Sequence, residues 1–152
     1  MPRKPHTDYT ALDRPDVLMV LFHPRKTTGP VEGGGRYQEI LIPVEGEVHV
    51  GARFHMAHAK SPTILFFHGN GEIVSDYDDI GPMFNRLGIN FIVADYRGYG
   101  RSGGSPTVSA MMADCHRIFD FTVQWKKEYG YTGPLIVMGR SLGSASALEL
   151  AT

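Results

Sequence analysis

Gly139-Arg140-Ser141-Leu142-Gly143 is the stretch that decides how this chain is read. The apolar run Pro134-Leu135-Ile136-Val137-Met138 precedes it, and Ser144-Ala145-Ser146-Ala147-Leu148-Glu149-Leu150 follows it. The run has the length and composition of a buried strand, and the segment after it reads as a helix. A G-x-S-x-G sequence between a strand and a helix marks a very sharp turn. It strains the serine backbone and lifts the hydroxyl above the sheet edge. Glycine is expected at both flanks, Gly139 and Gly143, because strand and helix cross too closely there for a Cβ.

Working outward, Thr63–Phe67 and Asn90–Ala94 are further continuous apolar runs. Together with Leu135–Met138 they predict strands buried on both faces, as in a parallel sheet covered by helices. Helical patterns lie between them. Ile73, Tyr77, Ile80, Phe84 and Leu87 recur at helical spacing, with Pro82 inside the stretch, so this helix is kinked or starts late. Val108, Met111, Met112, Cys115, Ile118, Phe119, Thr122 and Val123 form one apolar stripe, with Thr107 as N-cap and Gly130 closing the end. The alternation predicts an open α/β sheet with right-handed crossovers. Ligands then bind at the carboxyl ends of the strands, in the loops after Phe67, Ala94 and Met138.

Upstream, Tyr37–Pro43 and Glu47–Met56 are strand candidates, with Glu45-Gly46 as a hairpin turn. Residues 1–12 are polar and expected to be loosely held. Asp13 is expected to cap a short helix from near Pro15, with Val17, Val20 and Leu21 on one face and Pro24 ending it. Gly33-Gly34-Gly35 reads as a flexible hinge. The expected organisation is an arm over residues 1–36, packed against the main sheet, and an α/β domain over 37–152.

At 152 residues and 42% hydrophobic content, one domain with a real core is expected. A net charge of -1 argues against nucleic acid or an anionic membrane held by charge. The single cysteine, Cys115, excludes an internal disulfide. Val17–Phe22 is too short for a signal h-region or a membrane span, so a cytoplasmic location is expected. No His, Cys and carboxylate spacing suggests a metal site. Gly98-x-Gly100-x-x-Gly103 formally matches the dinucleotide fingerprint, but Gly104-Ser105-Pro106 separates it from the helix, so no cofactor is expected.

The loop after Phe67 is His68-Gly69-Asn70-Gly71-Glu72, and the loop after Ala94 runs from Asp95 through Tyr96-Arg97-Gly98-Tyr99-Gly100 to Pro106. With the Ser141 turn, these motifs resemble the α/β-hydrolase family. They look most like its serine hydrolases with an HGNGE-type loop, such as monoacylglycerol-lipase-like, serine-aminopeptidase-like and acyl-thioesterase-like members. The resemblance implies that Ser141 is a nucleophile on an elbow. It implies that the backbone N–H groups of Leu142 and Asn70 form an oxyanion hole for the tetrahedral intermediate. It implies that His68 shapes its loop by hydrogen bonds and is not the base, with Glu72 and Asp95 ordering their loops. The implied chemistry is hydrolysis of a small-molecule acyl ester through an acyl-serine, or of a peptide or thioester on the same machinery.

The family's chain order is serine, acid, histidine. All seven histidines precede Ser141, and Glu149, within the following helix, is the only acid after it. The resemblance therefore implies that the acid, the histidine and the last strands are not in this sequence. The expectation is a fragment, a chain completed by its missing C-terminal half, or a non-catalytic binding fragment. It also leaves the strand ending at Met138 as an apolar sheet edge.

Overall fold

A computed structural model describes residues 7–29 and 35–152. Most of the glycine hinge expected at Gly33-Gly34-Gly35 lies outside them, with Gly35 alone described. Five strands, β1 (Gln38–Glu45), β2 (Val48–His55), β3 (Thr63–Phe67), β4 (Asn90–Ala94) and β5 (Leu135–Gly139), form one sheet in the order β1-β2-β4-β3-β5. β3 is parallel to both β4 and β5, whereas β2 is antiparallel to β1 and to β4. Only β2 is therefore reversed, which makes the sheet mostly parallel. Helices α1 (Pro15–Leu21), α2 (Ile80–Arg86), α3 (Val108–Glu128) and α4 (Gly143–Ala151) complete the fold.

The sheet is covered unequally. On one face α3 and α4 bury Ile42, Val50, Ala52, Phe54, Leu65, Phe67 and Ile92. On the other, α2 and the 3-10 turn Val74–Tyr77 cover Ile64, Phe66, Phe91 and Val93. That cover stops short of β5. Ile136 is 48% and Met138 44% exposed, so β5 is not the strand buried on both faces that its apolar run predicted. Among the described residues that side of β5 is left about half open.

Several local expectations shift for physical reasons. The hairpin turn falls at Gly46-Glu47, one residue later than expected, with Gly46 at φ 51°. The stretch from Ile73 to Leu87 splits into the 3-10 turn and α2, which starts late enough to hold Pro82 in its first turn, where no i−4 bond is lost. α3 has the expected Thr107 cap, whose side chain accepts from Ala110 N–H. Val123 leaves the predicted stripe, at 45% exposed, and Trp125 takes the buried place.

The arm differs most. Arg14, not Asp13, stands at the start of α1, and Asp13 instead accepts from Ser109 N–H at 3.1 Å, in the first turn of α3. Val20 is 70% exposed, while Leu18, Leu21 and Phe22 face inward. They pack on Ile73, Tyr96, Tyr99, Val108 and Met111, so the arm lies on the loops at the carboxyl end of the sheet rather than on its face. Tyr9 is also held, donating its O–H to Glu149 at 2.7 Å. Among the described residues no helix is long and apolar enough to cross a membrane.

Candidate active site

Among the described residues, Ser141 is the only non-glycine with positive φ, at 52°. An L-residue in this left-handed region carries roughly 1–2 kcal/mol of strain, which the surroundings must enforce. They do so through close backbone contact. A Cβ on Gly139 would lie 2.2 Å from Gly143 O, and one on Gly143 would lie 2.0 Å from Phe67 O. β5, the turn and α4 thus pass each other at distances only glycine permits. The Ser141 side chain is left exposed at the carboxyl end of β5, and α4 begins two residues later.

The His68 loop leaves β3 at the same point. Arg140 N–H donates to Phe67 O at 3.1 Å, so one hydrogen bond joins the two loops at their base. Asn70 lies three residues beyond that acceptor, and Leu142 two residues beyond that donor. Among the described residues neither the Asn70 nor the Leu142 N–H is taken by another group. Two undonated amides on loops joined at the base, beside an exposed hydroxyl, have the make-up of an oxyanion site.

Glu72 stiffens this loop. Its carboxylate accepts from Gly69 N–H and from Tyr77 O–H at 3.1 Å, and it pairs with Arg140 at 2.5 Å. The loop is thus tied across to the elbow itself. A Cβ on Gly69 would lie 2.7 Å from Glu72 Oε2 and 2.8 Å from Arg140 Nη1, so any other residue there would push this ion pair aside.

His68 is fully buried. Its Nε2 lies 2.7 Å from Asp95 Oδ1 and its Nδ1 2.9 Å from Gly69 O. With both nitrogens engaged and no exposure, the ring holds the loop and cannot reach a substrate. Asp95 also accepts from Val74 N–H at 3.1 Å. Burial pushes its carboxyl above the ordinary carboxylate range, opposed by the His68 hydrogen bond. A Cβ on Gly100 would lie 2.2 Å from Asp95 Oδ2, which explains a glycine in that loop. The formal glycine fingerprint folds back on itself, with Gly98 N–H donating to Gly103 O at 3.0 Å, and α3 starts only at Val108.

Some of the site was not read from the sequence. Arg97 makes a two-pronged pair with Asp114, at 2.7 and 2.8 Å, that holds the loop after β4 to α3. Tyr99 and His23 meet at Asn70. Glu149, the one acid after Ser141, is engaged by Tyr9 and by His116 at 3.1 Å. Buried Cys115 has its thiol pushed up to about 12 by burial, which leaves it inert. No group of three His, Cys, Asp or Glu able to hold a metal occurs among the described residues.

A mostly parallel sheet with a strained serine at the turn out of a strand is the arrangement of α/β hydrolases. Residues 58–152 match the family model described as Serine aminopeptidase, S33. The chain belongs to the α/β-hydrolase family. Over 94 residues it is 35% identical to the lysophosphatidylserine lipase ABHD12 of Gallus gallus, covering 60% of this chain and 24% of that protein. Over 126 residues it is 27% identical to protein bem46 of Schizosaccharomyces pombe, covering 80% of this chain and 41% of that one. The fold is shared with ferulic-acid-bound Est1E from Butyrivibrio proteoclasticus, with TM-score 0.61, 20% identity, and coverage of 72% of this chain and 45% of that one. It is shared with the Pyrococcus furiosus esterase Pf2001, with TM-score 0.61, 18% identity, and coverage of 84% and 50%. The chain thus spans between a quarter and a half of the length of these proteins.

Proposed function

We propose that the protein hydrolyses carboxylic esters of small acyl substrates through an acyl-enzyme on Ser141. The observation that carries this reading is the left-handed Ser141 backbone, enforced by two glycines that have no room for a Cβ. Strain at an exposed hydroxyl is kept where presentation of that hydroxyl matters.

The steps follow from the groups present. Ser141 Oγ attacks the acyl carbon while a base removes its proton. The carbonyl oxygen becomes an oxyanion and takes hydrogen bonds from the N–H groups of Leu142 and Asn70. Collapse expels the alcohol, protonated by the same base, and water then releases the acid by the reverse sequence. The base is not His68, which is buried and bound at both nitrogens. We assign the base and its carboxylate to the part of the relatives' length that this chain does not span. No step needs a cofactor. Peptide hydrolysis on the same machinery is the second reading, favoured by the aminopeptidase description of the matching family model.

A fluorophosphonate probe on the complete protein tests the reading. It is expected to modify Ser141 and to block turnover of a short-chain p-nitrophenyl ester, and Ser141→Ala is expected to abolish both. Ester turnover that survives Ser141→Ala contradicts it. Hydrolysis of an aminoacyl anilide in preference to the ester selects the peptidase reading.

A further inference from the structure

The segment after α1, Phe22–Thr27, is laced to two loops at once. On one side Gly100 N–H donates to Arg25 O at 2.8 Å and Thr27 N–H to Gly100 O at 3.2 Å. On the other, Arg25 Nη1 donates to Gly71 O at 3.2 Å and its guanidinium pairs with Asp76. The two sides meet at Asn70. Tyr99 O–H donates to Asn70 Oδ1 at 2.8 Å. His23 N–H reaches Asn70 Oδ1 and the Tyr99 hydroxyl, each at 2.9 Å. Tyr99 is completely buried, its ring edge-on to Tyr96 at 5.4 Å and 5.9 Å from that of His68. A phenyl ring would fill that space equally well, so the hydroxyl has a separate role. It spends its proton on the Asn70 side chain, and among the described residues the Asn70 backbone N–H stays undonated.

We infer that Tyr99 and the strap Phe22–Thr27 are positioning elements of the oxyanion site, clamping the Asn70 side chain so that its N–H faces the reacting oxygen. The inference rests on the acyl-serine reading of Ser141. A clamp of this kind acts mainly in the transition state. The ester carbonyl is a weak acceptor, whereas the developing oxyanion demands a donor already in place.

Tyr99→Phe in the complete protein removes the hydroxyl and keeps the ring. The expected result is a fall in kcat of about tenfold with KM and Tm nearly unchanged. Affinity for a trifluoromethyl ketone, whose serine adduct carries an oxyanion, falls by the same factor. His23→Pro removes the second donor, and Phe22 before it is already extended (φ −120°, ψ 127°), as a residue preceding proline must be. It is expected to give the same pattern, and on an Asn70→Ala background neither change should add a further loss. Wild-type kcat and ketone affinity in both variants, with turnover still abolished by Ser141→Ala, overturn the clamp alone. Turnover that survives Ser141→Ala overturns both the clamp and the reading beneath it.

Discussion

Ser141 sits where its backbone is unfavourable, and the close-packed backbone of the glycines around it holds it there. Glycine at the same position has no such penalty. Ser141→Gly is therefore expected to raise stability by about 1 kcal/mol, read from urea denaturation, while removing all fluorophosphonate labelling. A destabilised Ser141→Gly variant would show that the turn is held by contacts of the serine side chain and not by crowding of the backbone around it. The neighbouring glycines are fixed by a different cause. Gly143 is confined because backbone oxygen already occupies the place of its Cβ, at 2.0 Å from Phe67 O.

At the scale of elements, β2 and α2 are locked through one residue. His55, the last residue of β2, is fully buried, and among the described residues both its ring nitrogens lack a hydrogen-bond partner. A Cβ on Gly81 of α2 would lie 2.2 Å from His55 Cγ, so the helix rests directly on the ring. Burial lowers the His55 pKa from its ordinary 6.5, with Asp78 opposing and Arg53 adding to the fall. The folded state therefore binds this proton less readily than the unfolded state. The sign follows: the contribution to stability is full above about pH 6.5 and is lost as pH falls from there toward the folded pKa. Thermal midpoints at about pH 7.5 and about pH 5 are expected to differ more in the wild type than in His55→Leu. Equal differences would show that other groups carry the acid sensitivity.

The elements also show what a sequence can disclose. The Ser141 elbow was legible because its cause is local: an apolar strand, two glycines and a helix in immediate succession. The stripe of α3 and its Thr107 cap were legible for the same reason. Asp13 was misplaced because its acceptor role depends on Ser109, far away in sequence. Val20 was misplaced because the face that α1 buries is chosen by Tyr96 and Tyr99, not by spacing within the helix. The Asn70 clamp had no local signal at all, since its donors come from residues 23 and 99. An apolar run in β5 says that the strand can be covered on both faces, not that covering partners are present.

For the whole molecule, the open side of β5 is the feature that joins fold to function. Met138 borders an apolar hollow of about 540 Å³, walled by Phe66, Tyr77, Phe84 and Phe91 and reaching Gly139 and Arg140 at the elbow. Ile136 adds to the exposed apolar face, and β5 is also the last strand at that edge of the sheet. A sheet edge of this kind invites pairing with another strand. In the proposed function, the same side of the molecule receives the strands that carry the base and the acid. In the proposed function the reacting groups are nonetheless within this chain: the hydroxyl at 141 and the amides at 70 and 142. The most direct measurement is a crystal structure of the complete protein with its serine trapped by a trifluoromethyl ketone. The expected adduct has a bond from Ser141 Oγ to the ketone carbon, with the resulting oxyanion about 2.7–3.1 Å from the nitrogens of both Asn70 and Leu142. An adduct oxygen turned to solvent, or held by any other pair of donors, would contradict it.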